Sequence, residues 1–387
     1  MKSTFVFGLL LLLAPLSSRA QSPAVFYTLD GRRLPAPEIN RLVRQLMDTA
    51  RIPGLALALL ENNQVQYLRA YGFRNLETRA PLETSTAMYG ASLSKAVFAC
   101  LVMQLVQEKR LDLDRPLHTY LPKPLPEYDA YRDLTGDERW KLLTARMCLT
   151  HTTGLPNWRW ISPDKKLHFK FAPGAQYWYS GEGLQLLQLV IETITQKGLV
   201  KLSAERIFQP LGLAHTSYVW QPAFEANYAL GYDEQGQPLP KTKRTKAGAA
   251  GSLETTPADY AAFLAALMQG KLLKKSTMAE MTRAQVRILF KGQFGPMATV
   301  AAPDSNRAIG LAYGLGWGTF ESPHGHAYFK EGHDDGWENH SVVFQDRKKA
   351  ILLLSNSSNA DKIFKELLEK LLGDKATPWQ WENYVPY

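Results

Sequence analysis

Cysteine is nearly absent: Cys100 and Cys148 are the only two in 387 residues. A disulfide-stapled scaffold is thereby excluded, since at most one bridge can form. Both lie in apolar helical runs, where cysteine ordinarily behaves as a small buried hydrophobe, so unpaired thiols are expected. Zinc-site spacing is missing too. The nearest approach, His324 and His326, has no acidic or cysteine ligand at zinc-site spacing and reads as an exposed strand pair, so no metal and no cofactor are expected. No repeat of about 33–45 residues recurs, which excludes solenoids and propellers. No segment is low-complexity. Beyond the N-terminus, no apolar run reaches membrane-span length without polar interruption.

What remains is ordinary globular composition, 45% hydrophobic and 21% charged, in a chain long enough for one large domain or two associated lobes. Residues 1–20 read as a signal peptide. Lys2 supplies the basic start, Phe5 to Leu16 the apolar stretch, and Ser18-Arg19-Ala20 the small residues before a cut after Ala20. Gln21, not cysteine, follows, so no lipid anchor is expected there. Export to the periplasm or the extracellular space is the resulting expectation. The formal charge is +9, and losing Lys2 and Arg19 leaves 9 − 2 = +7. The densest basic cluster, Lys241-Thr242-Lys243-Arg244-Thr245-Lys246, comes with no nucleic-acid motif. It reads as a solvated loop with loose attraction to anionic envelope polymers, and no nucleic-acid partner is expected.

Along the chain, Ile39 to Met47 has helical spacing, Leu55 to Leu60 and Val65 to Tyr71 read as a strand pair, and residues 92–110 form the most apolar helix. A helix apolar nearly all round is buried on all sides. Proline-punctuated helices fill 111–245. Strand signals return at Tyr313 to Trp317, Ala327 to Lys330, Ser341–Phe344 and Ala350–Leu354, before a helix over 360–372. The expected fold is α/β: an antiparallel sheet flanked by helices and assembled from 24–110 and 246–372, with 111–245 as an inserted, mostly helical lobe and 373–387 as an aromatic tail.

Three short stretches carry chemistry-bearing residues. Ser92-Leu93-Ser94-Lys95 puts a serine and a lysine one helical turn apart, on one face. Serine needs an adjacent base to act as a nucleophile, and a lysine in a desolvated pocket can be that base because burial lowers its pKa and leaves it free to accept a proton. The same S-x-x-K pattern at Ser162-Pro163-Asp164-Lys165 sits in a polar loop, so the pattern alone is common. Lys95 distinguishes the first copy, because a lysine in an apolar helix is costly without a partner. Phe171-Ala172-Pro173-Gly174 followed by Tyr179-Ser180-Gly181 places a tyrosine where a loop enters a helix; by residue type alone it reads as packing. Lys330-Glu331-Gly332, with Gly336-Trp337 after it, puts a lysine at a strand end where glycine admits close backbone approach.

As a set, in this order, these motifs resemble the superfamily of class C β-lactamases, penicillin-binding D,D-peptidases and related esterases. The spacings agree, 179 − 92 = 87 and 330 − 179 = 151 residues. So do Leu149 to Pro156, Pro210-Leu211-Gly212, Ala250 to Leu253 and Tyr313 to Trp317. The resemblance implies that Ser92 is the acylated nucleophile and that Lys95 and Tyr179 share proton transfer. It further implies that Lys330 holds Tyr179 near ionisation, and that the Ser92 and His333 backbone N–H groups form the oxyanion hole. Two positions depart from the β-lactam-cleaving pattern. Gly181 stands where an asparagine amide usually holds the acylamido group. Glu331 stands where a hydroxyl residue usually neighbours the substrate carboxylate, which its charge would repel if it faces the cleft. Trp158 is a further candidate to line that cleft, and His151 reads as a loop-holding residue. The expected substrate is a small-molecule or peptide acyl compound, cleaved by a D-amino-acid peptidase or esterase. A true β-lactamase and a non-catalytic penicillin-binding sensor are the alternatives.

Overall fold

The computed structural model describes residues 25–385; the expected signal peptide lies outside them. Its centre is a nine-stranded sheet of antiparallel pairs, in the spatial order 286–287, 312–313, 318–322, 325–334, 337–344, 349–355, 54–61, 64–75, 80–81. The late strand Lys349–Ser355 pairs with the early strand Gly54–Glu61, which joins the two ends of the chain in one sheet.

Residue alternation explains why this sheet needs cover on both faces. Leu55, Leu57 and Leu59 enter one core, with Ile351 and Leu353 beside them. Helix Ala36–Ala50 closes that core with Ile39, Val43, Leu46 and Met47, and the helical stretch 361–372 joins it. Ala56, Ala58 and Leu60 point the other way, into a second core with Leu352 and Leu354. There helix Pro257–Met268 packs on strand 54–61 and its neighbour 64–75, while helix Leu93–Gln107, buried along nearly its whole length as its composition demands, lies against strand 325–334. Cys100 and Cys148 are both free and buried in this second core, and burial pushes the Cys100 thiol up to about 12.

Between 111 and 245 the chain runs mostly in short helical turns, the long exception being helix Gly181–Thr195. Where one strand over 313–317 is expected, two strands flank a turn. Gly316 adopts φ +84 there, and a Cβ on it would lie 2.4 Å from the Ala99 Cβ. The kink seats this segment on the Ser92 helix, a tertiary demand that outweighs strand propensity. Among the described residues, no helix is long and apolar enough to cross a membrane and no group of acidic, histidine or cysteine side chains could hold a metal ion.

Candidate active site

Ser92 occupies the turn between strand Met88–Ala91 and helix Leu93–Gln107. The residue before it, Ala91, has φ 45, a left-handed conformation costly for a side chain with a Cβ. Ser94 anchors this turn. Its Oγ donates to the Ala91 carbonyl at 2.5 Å and accepts from the Leu253 N–H at 3.0 Å. Ser94 is fully buried and Ser92 is not, so the two serines of the motif have separate duties.

Lys95 reaches back one turn. Its Nζ lies 2.8 Å from Ser92 Oγ and 2.5 Å from the Ala250 carbonyl oxygen. Burial holds this amine well below the usual lysine range; the Lys330 charge lowers it further, and Glu331 opposes the shift. Tyr179 is the last residue before the Ser180 cap of helix Gly181–Thr195, where Ser180 Oγ accepts from the Gly183 N–H. His151 braces the loop: its Nδ1 accepts from the Ser180 N–H at 3.1 Å and its ring lies 4.3 Å from the Tyr179 ring. The Lys95 ammonium position is 4.7 Å from the Tyr179 ring centre, and Lys330 Nζ is 3.3 Å from the Tyr179 hydroxyl. Ser92, Lys95, Tyr179 and Lys330 thus converge from three distant stretches of sequence.

Two electrostatic expectations need correction. Tyr179 is not held near ionisation: burial first, then the Glu331 charge, push its phenol well above the ordinary range. Glu331 does not stand as a free repelling charge either. Its carboxylate meets Lys330 Nζ at 2.6 Å, both groups almost fully buried, and accepts from Gln293 Nε2 at 3.1 Å. Burial raises the Glu331 carboxyl, but the Lys330 charge and hydrogen bond, with the backbone and Gln293 bonds, outweigh it and leave it below the glutamate range. The pair cancels the cation that would otherwise act on Tyr179.

Gly332 is where the Lys330 strand touches the nucleophile turn. A Cβ there would lie 2.5 Å from the Gly90 carbonyl and 3.1 Å from the Leu93 nitrogen. His333 follows and lines the cleft; its ring pairs with Glu338 at 2.5 Å, which raises its pKa to about 9. Gly181 itself lies under Trp158, whose six-membered ring would be 2.6 Å from a Cβ at 181. Trp158 therefore fills the space an asparagine side chain would need. It stacks on Trp160 at 4.6 Å, and both line the cleft. Gly181→Asn alone is accordingly expected to lose about 1–3 kcal/mol of stability by overpacking and to gain no β-lactam turnover. Adding Trp158→Ala should recover the melting temperature. A Gly181→Asn protein as stable as wild type would show that Trp158 swings aside freely.

The cleft, of about 770 Å³, has walls that the sequence did not announce. Phe294 comes from an irregular segment with no motif and lies 5.1 Å from Tyr179, edge to face; Gln293 beside it supports Glu331 from behind. Glu382, Asn383 and Tyr384 come from the aromatic tail, which folds back through the Gln293 N–H bond to the Trp381 carbonyl and a buried His340–Glu382 pair at 3.0 Å. The basic loop is solvated in part, with Lys243 and Lys246 exposed as expected, but it is also tied down. Lys241 is buried against Glu254 at 2.7 Å, and Lys243 pairs with Glu225. Ser162 and Lys165 form a surface turn, away from this constellation. His326 bonds Glu321 and the Thr282 carbonyl.

Known proteins resemble this chain in sequence and in fold. The β-lactamase family profile matches residues 39–372. "Protein flp" of Staphylococcus aureus (strain N315) is 22% identical over 358 residues, covering 87% of this chain and 67% of its own length. "Unguisins hydrolase ungD" of Aspergillus violaceofuscus is 24% identical over 369 residues, covering 87% and 64%. The chain thus spans about two thirds of the length of these curated relatives. Among solved structures, the octameric penicillin-binding protein homologue from Pyrococcus abyssi superposes with TM-score 0.70 at 20% identity, over 89% of this chain and 78% of that one. D-alanine carboxypeptidase AmpC from Burkholderia cenocepacia gives 0.65 at 21% identity, over 83% and 93%. With the sheet, the cleft and a profile match over most of its length, this chain belongs to the β-lactamase family.

Proposed function

We propose that this protein is an exported serine hydrolase that cleaves an amide or ester through an acyl-enzyme on Ser92, acting on D-amino-acid peptides or small esters in preference to β-lactams. One observation carries the reading: the Lys95 amine, buried and short of its usual basicity, lies 2.8 Å from Ser92 Oγ. In its neutral form Lys95 keeps its bond to the Ala250 carbonyl and turns a lone pair to the Ser92 hydroxyl. It takes that proton as Oγ bonds to the substrate carbonyl carbon. The N–H groups of Ser92 and His333 receive the oxyanion. Tyr179, kept protonated by its surroundings, hands a proton to the leaving group and regains one from Lys95. Water then repeats the sequence on the acyl-enzyme. A fluorophosphonate probe followed by peptide mapping tests this directly: the adduct should sit on Ser92, and an adduct on Ser94 or Ser162 would overturn the assignment.

The pH profile separates the charges. Glu331 raises the pKa of both Lys95 and Tyr179, so Glu331→Gln should move the rising limb of kcat/KM to lower pH. Lys330→Ala removes a cation and frees the Glu331 charge, so the limb should move to higher pH. Shifts in the same direction for both variants would mean that neither charge acts on the base.

Preference against β-lactams rests on Trp158 over Gly181 and on the Lys330–Glu331 pair, which leaves no net positive charge for a carboxylate beside the scissile bond. A short acyl ester should therefore give a higher kcat/KM than a cephalosporin. The reverse order would refute the specificity reading and spare the nucleophile.

A further inference from the structure

With Lys330 neutralised, the cleft keeps another cation in reserve. Arg244 lines it together with Lys246 and the segment 247–252. Its guanidinium carbon lies over the Tyr89 ring, 3.9 Å from the ring centre. Tyr89 is fixed in turn, donating its hydroxyl to the Gly251 carbonyl at 2.6 Å and meeting Trp337 edge to face at 6.1 Å. The Arg244 backbone is pinned as well, its carbonyl accepting from the Trp220 N–H at 2.7 Å. Stacking of this kind orients the planar donor fork before any ligand arrives.

Those donors make only two long ion pairs and no hydrogen bond. The nearest carboxylates, Glu254 and Asp334, each stand 3.9 Å away, beyond hydrogen-bond distance. Glu254 is engaged by Lys241 at 2.7 Å, and Asp334 is half exposed, so solvent weakens its hold. Among the described residues the guanidinium makes no hydrogen bond, and Lys246 has no carboxylate within ion-pair distance. An arginine fixed in orientation, partly desolvated and with its fork unfilled is matched to a carboxylate or phosphate.

We propose that Arg244, assisted by Lys246, forms an anion subsite that takes a carboxylate borne on the substrate at a distance from the scissile bond. As a statement about substrate, this rests on the Ser92 hydrolase reading. The family motif lysine has lost its net charge to Glu331 in close contact, while Arg244, held only by long ion pairs, keeps its donor fork open on the wall formed just before strand Leu253–Thr255. The cleft would then select acyl compounds that are neutral beside the reacting carbonyl and anionic further out.

Two measurements test the subsite separately from the chemistry. In Ser92→Ala protein, calorimetry with suberate, a dicarboxylate, should detect binding. Arg244→Ala in that background should raise Kd about 10- to 100-fold, the range of a charge-assisted bond, with Arg244→Lys intermediate and Lys246→Ala a few-fold. In the active protein, the ratio of kcat/KM for mono-p-nitrophenyl suberate over p-nitrophenyl octanoate should fall about tenfold in Arg244→Ala. Absent suberate binding, a Kd indifferent to Arg244, or an unchanged ester ratio would overturn the subsite; equal loss on both esters would reduce Arg244 to a support for Tyr89. If wild type cleaves neither ester while suberate binding still depends on Arg244, the subsite stands and the hydrolase reading falls.

Discussion

Ser92→Ala is expected to lower kcat/KM for an activated ester by on the order of 10⁴–10⁶ and to abolish fluorophosphonate labelling, with melting temperature and circular dichroism unchanged. The fold should survive because Ser92 supplies little of the local structure. Ser94, not Ser92, ties the helix start to the neighbouring strand through Ala91 and Leu253, and Tyr218 adds a bond to the Ser94 carbonyl. The strain at Ala91 is a backbone property that the substitution leaves in place. Ser94→Ala should give the complementary result: a lower melting temperature, because a buried donor and acceptor lose their partner, and retained labelling at Ser92. A Ser92→Ala protein that keeps more than about a hundredth of wild-type turnover would place the nucleophile elsewhere, since that residue exceeds what binding and the oxyanion hole alone sustain.

The sequence carried much of this because its strongest signals were physical. The 92–110 segment leaves no polar face, and a lysine inside such a segment needs a partner; the helix is central, and Lys95 has two partners in Ser92 and Ala250. The alternating strands 54–61 and 349–355 were equally legible, and so was their place in one sheet. What escaped the sequence was set by contacts between remote segments. Nothing local to Glu331 says that its carboxylate will curl onto Lys330, because strand alternation puts neighbours on opposite faces. Nothing local to Gly181 says that Trp158 will fill the space beside it. Gln293 and Phe294 belong to a segment without periodicity, and the tail contributes Glu382 and Tyr384 only once folded against the sheet. The basic run 241–246 was legible in part, since Lys243 and Lys246 are exposed as its charge suggests. Charge density on a proline-flanked stretch suggests solvent, yet Trp220, Trp337 and Tyr89 provide aromatic faces for Lys241, Lys243 and Arg244. Cation–π packing of that kind has no signature in spacing.

Lys95→Met is expected to cost about 10²–10⁴ in kcat/KM, the range of a positioned general base, while raising the melting temperature. The two effects share one cause. Lys95 is fully buried, and its strongest influence is desolvation, followed by the Lys330 charge. Its ammonium form therefore destabilises the folded state, and methionine of similar length fills the site without that cost. The sign follows from linkage. The folded pKa lies below the ordinary lysine value of 10.5, so between those two values the unfolded chain binds the extra proton and wild-type stability rises with pH. The advantage of Lys95→Met should accordingly be largest at acid pH, shrink as pH climbs through the lowered folded pKa, and vanish near the free-lysine range. Denaturant unfolding of both proteins across neutral to alkaline pH reads this directly. If the stability difference stays constant with pH, Lys95 is charged in the folded protein, and the proton acceptor for Ser92 must be sought in Tyr179 instead.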